Sequence, residues 1–543
     1  MPSISRRRSC RLLTTGLAAG ALLALPTPAG AAAPDAASSA AASSSKAAAS
    51  SSASAARTAS SAPAVAAEGQ PTVSGPVTGG TRGYPFFSFA QQPSPVDLAA
   101  AGYVEEEFFL EGTASSYAPG AAGLAANGRW SAEVDRSAPY RTRLLVIRPA
   151  DRRDFNGTAF VEWNNVTASF ELFPDFALGR EELLRKGFAY VSVSAQYLGV
   201  NPPYGVKTFD PQRYATLEHP GDSFSYDIFT QAGRAVRGEA AGADVLGGLR
   251  ARRVIADGES QSAGRMVTYI NAVQPLEKAY DGFMVHSRGA QGAPLNQEHP
   301  FDRTQPVTAV PTPSLIRTDE KEPVLQFQAE TDVVGFQPAR QLEAARVRTW
   351  EVAGTAHVDE FWGTDTSFRI YPRDLPPTYD PTTCILPIND GPQHWVFNSA
   401  INKLDRWVRG RQAPSNGPVI QIADGVIQRD RYGLAVGGVR TPDVDAPTRV
   451  LSGTGNFGDP FCWLFGTSLP FSPGALAELY PQAGDYERRV RQSAQDARLL
   501  GFLLPVDARA IRDAAAGGPV PPTSAQPAPA PAAPTETAPA PAV

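Results

Sequence analysis

The chain has 543 residues, 42% hydrophobic and 19% charged, with 48 Gly, 50 Pro, 3 Cys and 5 His. Its formal net charge is −5, and no long Lys/Arg run follows the N-terminus, which argues against a nucleic-acid grip built on counterion release. No Cys-x-x-Cys pair occurs and the His are scattered, so no metal spacing is present and no cofactor is expected.

At the N-terminus, Arg6, Arg7, Arg8 and Arg11 surround the start of an apolar stretch, Leu12 to Leu25, which Pro26 ends. A membrane span needs roughly 20 apolar residues, and this stretch is shorter. Ala29-Gly30-Ala31 then offers small residues to signal peptidase. Residues 1–31 read as a signal peptide, and the protein is expected to be secreted without a membrane anchor. Ser5-Arg6-Arg7 keeps the twin-arginine route open beside general secretion. Residues 31–67 hold 19 Ala and 11 Ser, and residues 517–543 hold 9 Pro and 8 Ala. Neither end has the apolar mass that would offset the entropy of ordering it. Residues 32–69 therefore read as a disordered tether, 70–515 as one folded domain and 516–543 as a disordered tail. After signal removal two cysteines remain, Cys384 and Cys462. In an oxidising compartment they are expected to pair, the alternative being two separate buried thiols.

The centre of the chain alternates strand-like and helix-like segments. Thr142–Pro149, Thr158–Trp163, Ala189–Ser194, Arg253–Asp257, Asp281–His286, Pro323–Gln328 and Arg348–Val352 read as strands. Asp175–Lys186, Ser223–Arg237 and Ala263–Val273 read as helices, the first with Gly187 as its C-cap. This order predicts an α/β fold, a mainly parallel sheet covered by helices on both faces. Ligands of such sheets lie beyond the carboxyl ends of the strands. A Pro-containing excursion, 287–322, is expected to act as a cap. Residues 371–515 are expected to pack on the core as a C-terminal extension.

Gly258-Glu259-Ser260-Gln261-Ser262-Ala263 lies between a strand and a helix. A nucleophile elbow requires that context, because the Ser sits on a tight turn and its neighbours two residues away must be small. The competing reading is an ordinary junction with Ser260 as helix N-cap. A serine needs a base, and His357 in Gly354-Thr355-Ala356-His357 follows the last core strand. His219 and His299 sit in Glu-His-Pro loops, His394 lies on a helix beside Trp395, and His286 precedes the acid candidates in the chain. The acid that orients the base is expected to be Asp332, with Glu330 as runner-up, both just past the strand Pro323–Gln328. The oxyanion donors are expected from the N–H of Gln261 and from the strand end carrying Asn164 and Asn165. Trp163, Phe170, Phe173, Tyr197, Phe361 and Trp362 are candidate walls of an apolar acyl pocket, with ordinary core packing as the alternative for each.

These residues resemble the α/β-hydrolase superfamily. More narrowly, they are similar to the bacterial "alpha/beta hydrolase domain" proteins with a Gly-Glu-Ser-Gln-Ser-Ala elbow. Glu162 to Thr167, Gly258 to Ala263, Tyr280 to Phe283, His286 to Gly289, Glu330 to Asp332 and Gly354 to His357 carry the likeness, which spans roughly residues 75–505. The resemblance implies a Ser-His-Asp hydrolase that transfers an acyl group to water. The expected partner is a small-molecule or polymeric ester; the sequence leaves the oligomeric state open. Amide, lactone or polyester hydrolysis, a lyase step, or a non-catalytic surface-binding role on the same scaffold are the other readings.

Overall fold

The computed structural model describes residues 69–90, 97–299, 306–342, 344–362, 383–458 and 461–518. The expected signal peptide, nearly all of the tether and all but the first residues of the tail lie outside the described residues.

Among the described residues ten strands form one sheet: β1 (Thr72–Ser74), β2 (Tyr103–Leu124), β3 (Trp130–Pro149), β4 (Thr158–Trp163), β5 (Ala189–Val193), β6 (Ala241–Gly242), β7 (Arg253–Glu259), β8 (Gly282–His286), β9 (Val324–Ala329) and β10 (Val347–Val352). Their order is β10-β9-β8-β7-β4-β5-β3-β2-β1-β6. From β10 to β5 every pairing is parallel. β3 joins β5 antiparallel, and β2 and β1 continue antiparallel.

The central strands are short, mostly apolar and buried throughout, as a parallel strand covered on both faces must be. Successive side chains go to opposite faces. Phe160, Ile255, Met284 and Leu325 enter one core, with the helices Pro174–Arg185 and Gln393–Val408 packed over it. Ala159, Val161, Val254, Ala256, Phe283 and Val285 enter the other, beneath the helices Ser225–Val236 and Gln261–Thr268. The expected segments from Thr158 onward fall on these elements with ends shifted by a few residues. Gly187 closes the first helix at φ +72°, where a side chain would meet the carbonyl of Asp154.

Two features differ from the sequence reading. The expected strand Thr142–Pro149 is the end of a much longer one, and β2 and β3 form a hairpin that the residue pattern did not announce. Its buried centre is ionic: Arg143 contacts Glu107 at 2.5 Å and Glu171 at 3.1 Å, and Arg213 contacts Glu107 at 2.6 Å. The described part of the excursion 287–322 has no helix or strand. It packs on the helices Ser225–Val236 and Gln261–Thr268, with Tyr226 and Arg265 bonded to the Pro294 carbonyl.

The described part of the C-terminal extension packs on the core, with Val396, Phe397, Phe465 and Phe502 in it. It carries two small hairpins, β11 (Ile422–Ala423) with β12 (Val426–Ile427) and β13 (Arg449–Ser452) with β14 (Thr467–Pro470). Cys384 and Cys462 form a disulfide whose second cysteine lies in the β13–β14 connection.

Candidate active site

β7 runs into the helix Gln261–Thr268 with no intervening loop, so the chain must reverse within one residue. Ser260 is that residue, at φ 60° and ψ −115°. Non-glycine residues rarely occupy this region, and holding one there costs of order 1–3 kcal/mol. The turn is braced by a hydrogen bond from Ser260 N to the His286 carbonyl, 2.9 Å. It also demands small neighbours. A Cβ on Gly258 would lie 3.2 Å from Ser262 Cβ, and Ser262 itself is buried, its hydroxyl bonded to the Asn164 carbonyl at 3.1 Å. Ser260 is a helix cap only by position, since its side chain caps no N–H.

His357 arrives on the loop after β10, which reverses at Gly354, φ +73°. His357 Nδ1 lies 2.8 Å from Asp332 Oδ1. Glu330 faces elsewhere: its carboxylate accepts from Gly354 N (2.7 Å), Gly453 N (3.0 Å) and Arg429 (2.9 Å). Glu330 thus ties the His357 loop to the β13–β14 connection, and Asp332 meets the imidazole. The other histidines are placed otherwise. His286 is fully buried, 2.6 Å from Asp175, and burial pushes its pKa down to about 4. His394 is stacked on Phe361, and its pKa falls to about 3 by burial. His219 bonds the Ala195 carbonyl.

The other ring nitrogen of His357 meets a group that sequence reasoning passed over. Nε2 lies 2.7 Å from Glu259 Oε1, an ion-pair contact not aligned as a hydrogen bond. The second oxygen of Glu259 accepts from Asn165 Nδ2 at 2.8 Å. Burial alone would lower the His357 pKa, but the charges of Asp332 and Glu259 outweigh it, and the ring is held well above its usual value. The available signal was a carboxylate inside the elbow motif itself, one of two with Asp257 at the end of β7.

The expected oxyanion donors separate. Gln261 opens the helix, where an N–H has no partner within the helix, and it makes no hydrogen bond to another described residue. The N–H groups of Asn164 and Asn165 are spent on the carbonyls of Val193 and Leu172. The strand-end donors expected there are therefore not open in this arrangement, because the chain after β4 makes a β-bridge with Leu172.

Ser260 and His357 open into a cavity of about 440 Å³, mouth included, walled by Ala168, Leu172, Val358, Trp362, Phe461, Leu464 and Phe465. Of the six expected wall residues only Trp362 lines it. Phe170 and Phe173 are buried against Phe87, Trp163 faces the opposite core and bonds Gln196, Tyr197 meets His299 at a tilt, and Phe361 stacks on His394. The aromatic wall comes instead from the C-terminal extension, next to the disulfide. Val358 N bonds the Leu464 carbonyl at 3.0 Å, which ties the wall to the His357 loop.

The profile of the family described as "Alpha/beta hydrolase domain" matches residues 73–513. The chain belongs to the alpha/beta hydrolase domain family. A search of curated proteins finds no match for this hydrolase. Similar solved structures include a thermostable esterase from Pseudomonas putida ECU1011, at 16% identity over 48% of this chain and 76% of that one, TM-score 0.28. Another is the esterase Est22 with p-nitrophenol, at 15% identity over 51% of this chain and 78% of that one, TM-score 0.29.

Proposed function

We propose that this hydrolase is an exported serine esterase that cleaves carboxylic esters with a small apolar acyl group. The observation that carries the reading is a strained Ser260 opening, together with His357, into an apolar cavity, with Asp332 2.8 Å behind the imidazole. Ser260 Oγ attacks the ester carbonyl while its proton passes to His357 Nε2. The N–H of Gln261, at the positive end of its helix, meets the oxyanion. The intermediate collapses, the alkoxide leaves with the proton from His357, and the acyl group stays on Ser260. Water, deprotonated by the same nitrogen, then releases the acid. Asp332 holds the ring in orientation and stabilises the imidazolium without itself taking the proton. The disulfide supports export, since such bridges persist in oxidising compartments.

A panel of p-nitrophenyl esters of increasing acyl length tests this. Turnover of short-chain esters that Ser260→Ala abolishes is expected. No turnover of any ester, or turnover that survives Ser260→Ala, contradicts the proposal.

A further inference from the structure

His357 is flanked by two carboxylates, one on each ring nitrogen: Asp332 on Nδ1 at 2.8 Å and Glu259 on Nε2 at 2.7 Å. An imidazole offers both nitrogens as donors only when it is protonated; the neutral ring has one N–H and one lone pair. A neutral ring that keeps its proton on Nδ1 for Asp332, as a base must, would hold an Nε2 lone pair within 2.7 Å of a Glu259 carboxylate oxygen. That contact is repulsive, and Glu259 has little freedom to withdraw. It is 2% exposed, and its other oxygen is anchored to Asn165 at 2.8 Å.

We propose that Glu259 is a positioning residue that holds His357 in a charged resting state and thereby sets the acid limit of hydrolysis. This rests on the esterase reading of Ser260 and His357. As a base, His357 must first release the Nε2 proton to solvent. The neutral nitrogen then takes the proton of Ser260 Oγ as the serine adds to the carbonyl, and the imidazolium is restored between the same two carboxylates. Glu259 therefore acts twice with opposite effect. It resists deprotonation of the resting ring, and it favours the ring charge that develops in the transition state.

The surrounding charges make Glu259 the dominant influence on that side of the ring. Asp332 sits on the opposite nitrogen. His286, paired with Glu259 across β8 and β7, has its pKa lowered to about 4 by burial and is uncharged at working pH. Asp175, Glu162 and Asp257 lie behind it, and burial pushes each of them well up, toward the neutral acid. Asn165 contributes a dipole but no charge.

Glu259→Gln is the informative variant. The glutamine carbonyl keeps the bond from Asn165, and its NH2 turns to Nε2, where it stabilises the neutral ring. Two readouts on the full chain are needed. The first is the imidazole titration of His357, followed by NMR of 13C-labelled histidine and assigned by loss of the signal in His357→Gln. The second is the pH dependence of Ser260 labelling by a fluorophosphonate. In Glu259→Gln the His357 midpoint and the acid limb of labelling both move down by about one pH unit or more. The plateau rate falls by roughly tenfold as the transition-state imidazolium loses a neighbour. Glu259→Asp, which keeps the charge, returns the limb toward its original position. An unmoved His357 midpoint in folded Glu259→Gln overturns the inference, as does a limb that moves equally in Glu259→Asp. Absence of fluorophosphonate labelling in the unsubstituted chain overturns the esterase reading instead, and the NMR titration then judges the Glu259 contact by itself.

Discussion

Glu330 and Asp332 are two residues apart, and the structure gives them opposite work. In Asp332→Asn the amide can turn either group toward His357 Nδ1. With its NH2 inward it places the lone pair on Nδ1 and the proton on Nε2, where the Glu259 carboxylate, 2.7 Å away, favours it. That tautomer cannot take the proton of Ser260. The loss therefore belongs at the upper end for such a change, roughly 10⁴-fold in kcat, or about 5.5 kcal/mol of transition-state stabilisation. Glu330→Gln leaves the imidazole alone. Its amide nitrogen must replace one oxygen, and the milder choice is the one facing Gly354 N, since the other accepts from both Gly453 N and Arg429. One buried N–H then lacks its acceptor and Arg429 loses its counter-charge, a cost of about 2–4 kcal/mol. Thermal unfolding should drop by several degrees while kcat of the folded enzyme stays within about tenfold. Steady-state kinetics and a melting curve on both variants test the pair. A 10⁴-fold loss in Glu330→Gln with a near-normal Asp332→Asn would refute the assignment.

The pH profile of the unsubstituted enzyme should have its acid limb above the ordinary His value of roughly 6.5, because a raised pKa keeps His357 protonated, and so unable to act as base, until higher pH. A limb below that value contradicts the two-carboxylate environment. Ala168→Leu should fill part of the cavity and lower kcat/KM for a hexanoate ester more than for an acetate; equal losses would mean that the acyl chain lies elsewhere. The pair Cys384→Ser and Cys462→Ser opens a loop of 78 residues in sequence separation, worth up to about 4.5 kcal/mol by chain entropy. It should also raise KM, since Phe461, Leu464 and Phe465 flank the bridge. Free-thiol titration of the denatured, unreduced protein should find no reactive Cys384 or Cys462. Arg143→Met leaves buried Glu171 without its cation and takes from Glu107 one of its two arginines, which should cost about 3–5 kcal/mol in a denaturant titration, with kcat little changed.

The sheet from β4 to β10 could be read in the chain because buried parallel strands are short apolar runs between turn residues. The hairpin β2–β3 could not. Glu107 looks like a surface residue in one dimension, and only pairing with Arg143 and Arg213 makes it interior. The elbow was legible because its requirements are local: a strand, a helix and small residues around Ser260. The acid was not fully legible, since Glu330 and Asp332 lie in one turn and only the direction of each side chain separates them. The cavity wall was illegible for a different reason. Phe461, Leu464 and Phe465 lie about 200 residues from Ser260 and reach it through the β13–β14 hairpin and the disulfide, and no periodicity encodes that contact. Glu259 was in plain view inside the elbow motif, but its contact with Nε2 exists only after the β10 loop has folded over β7.

The proposed activity requires that Ser260 be a nucleophile activated by His357. The most direct measurement is peptide mapping by mass spectrometry after fluorophosphonate treatment of the folded protein. A single adduct on Ser260 is expected, absent after heat denaturation and slowed by several orders of magnitude in His357→Gln. An unlabelled Ser260, or an adduct formed as fast without His357, would contradict it.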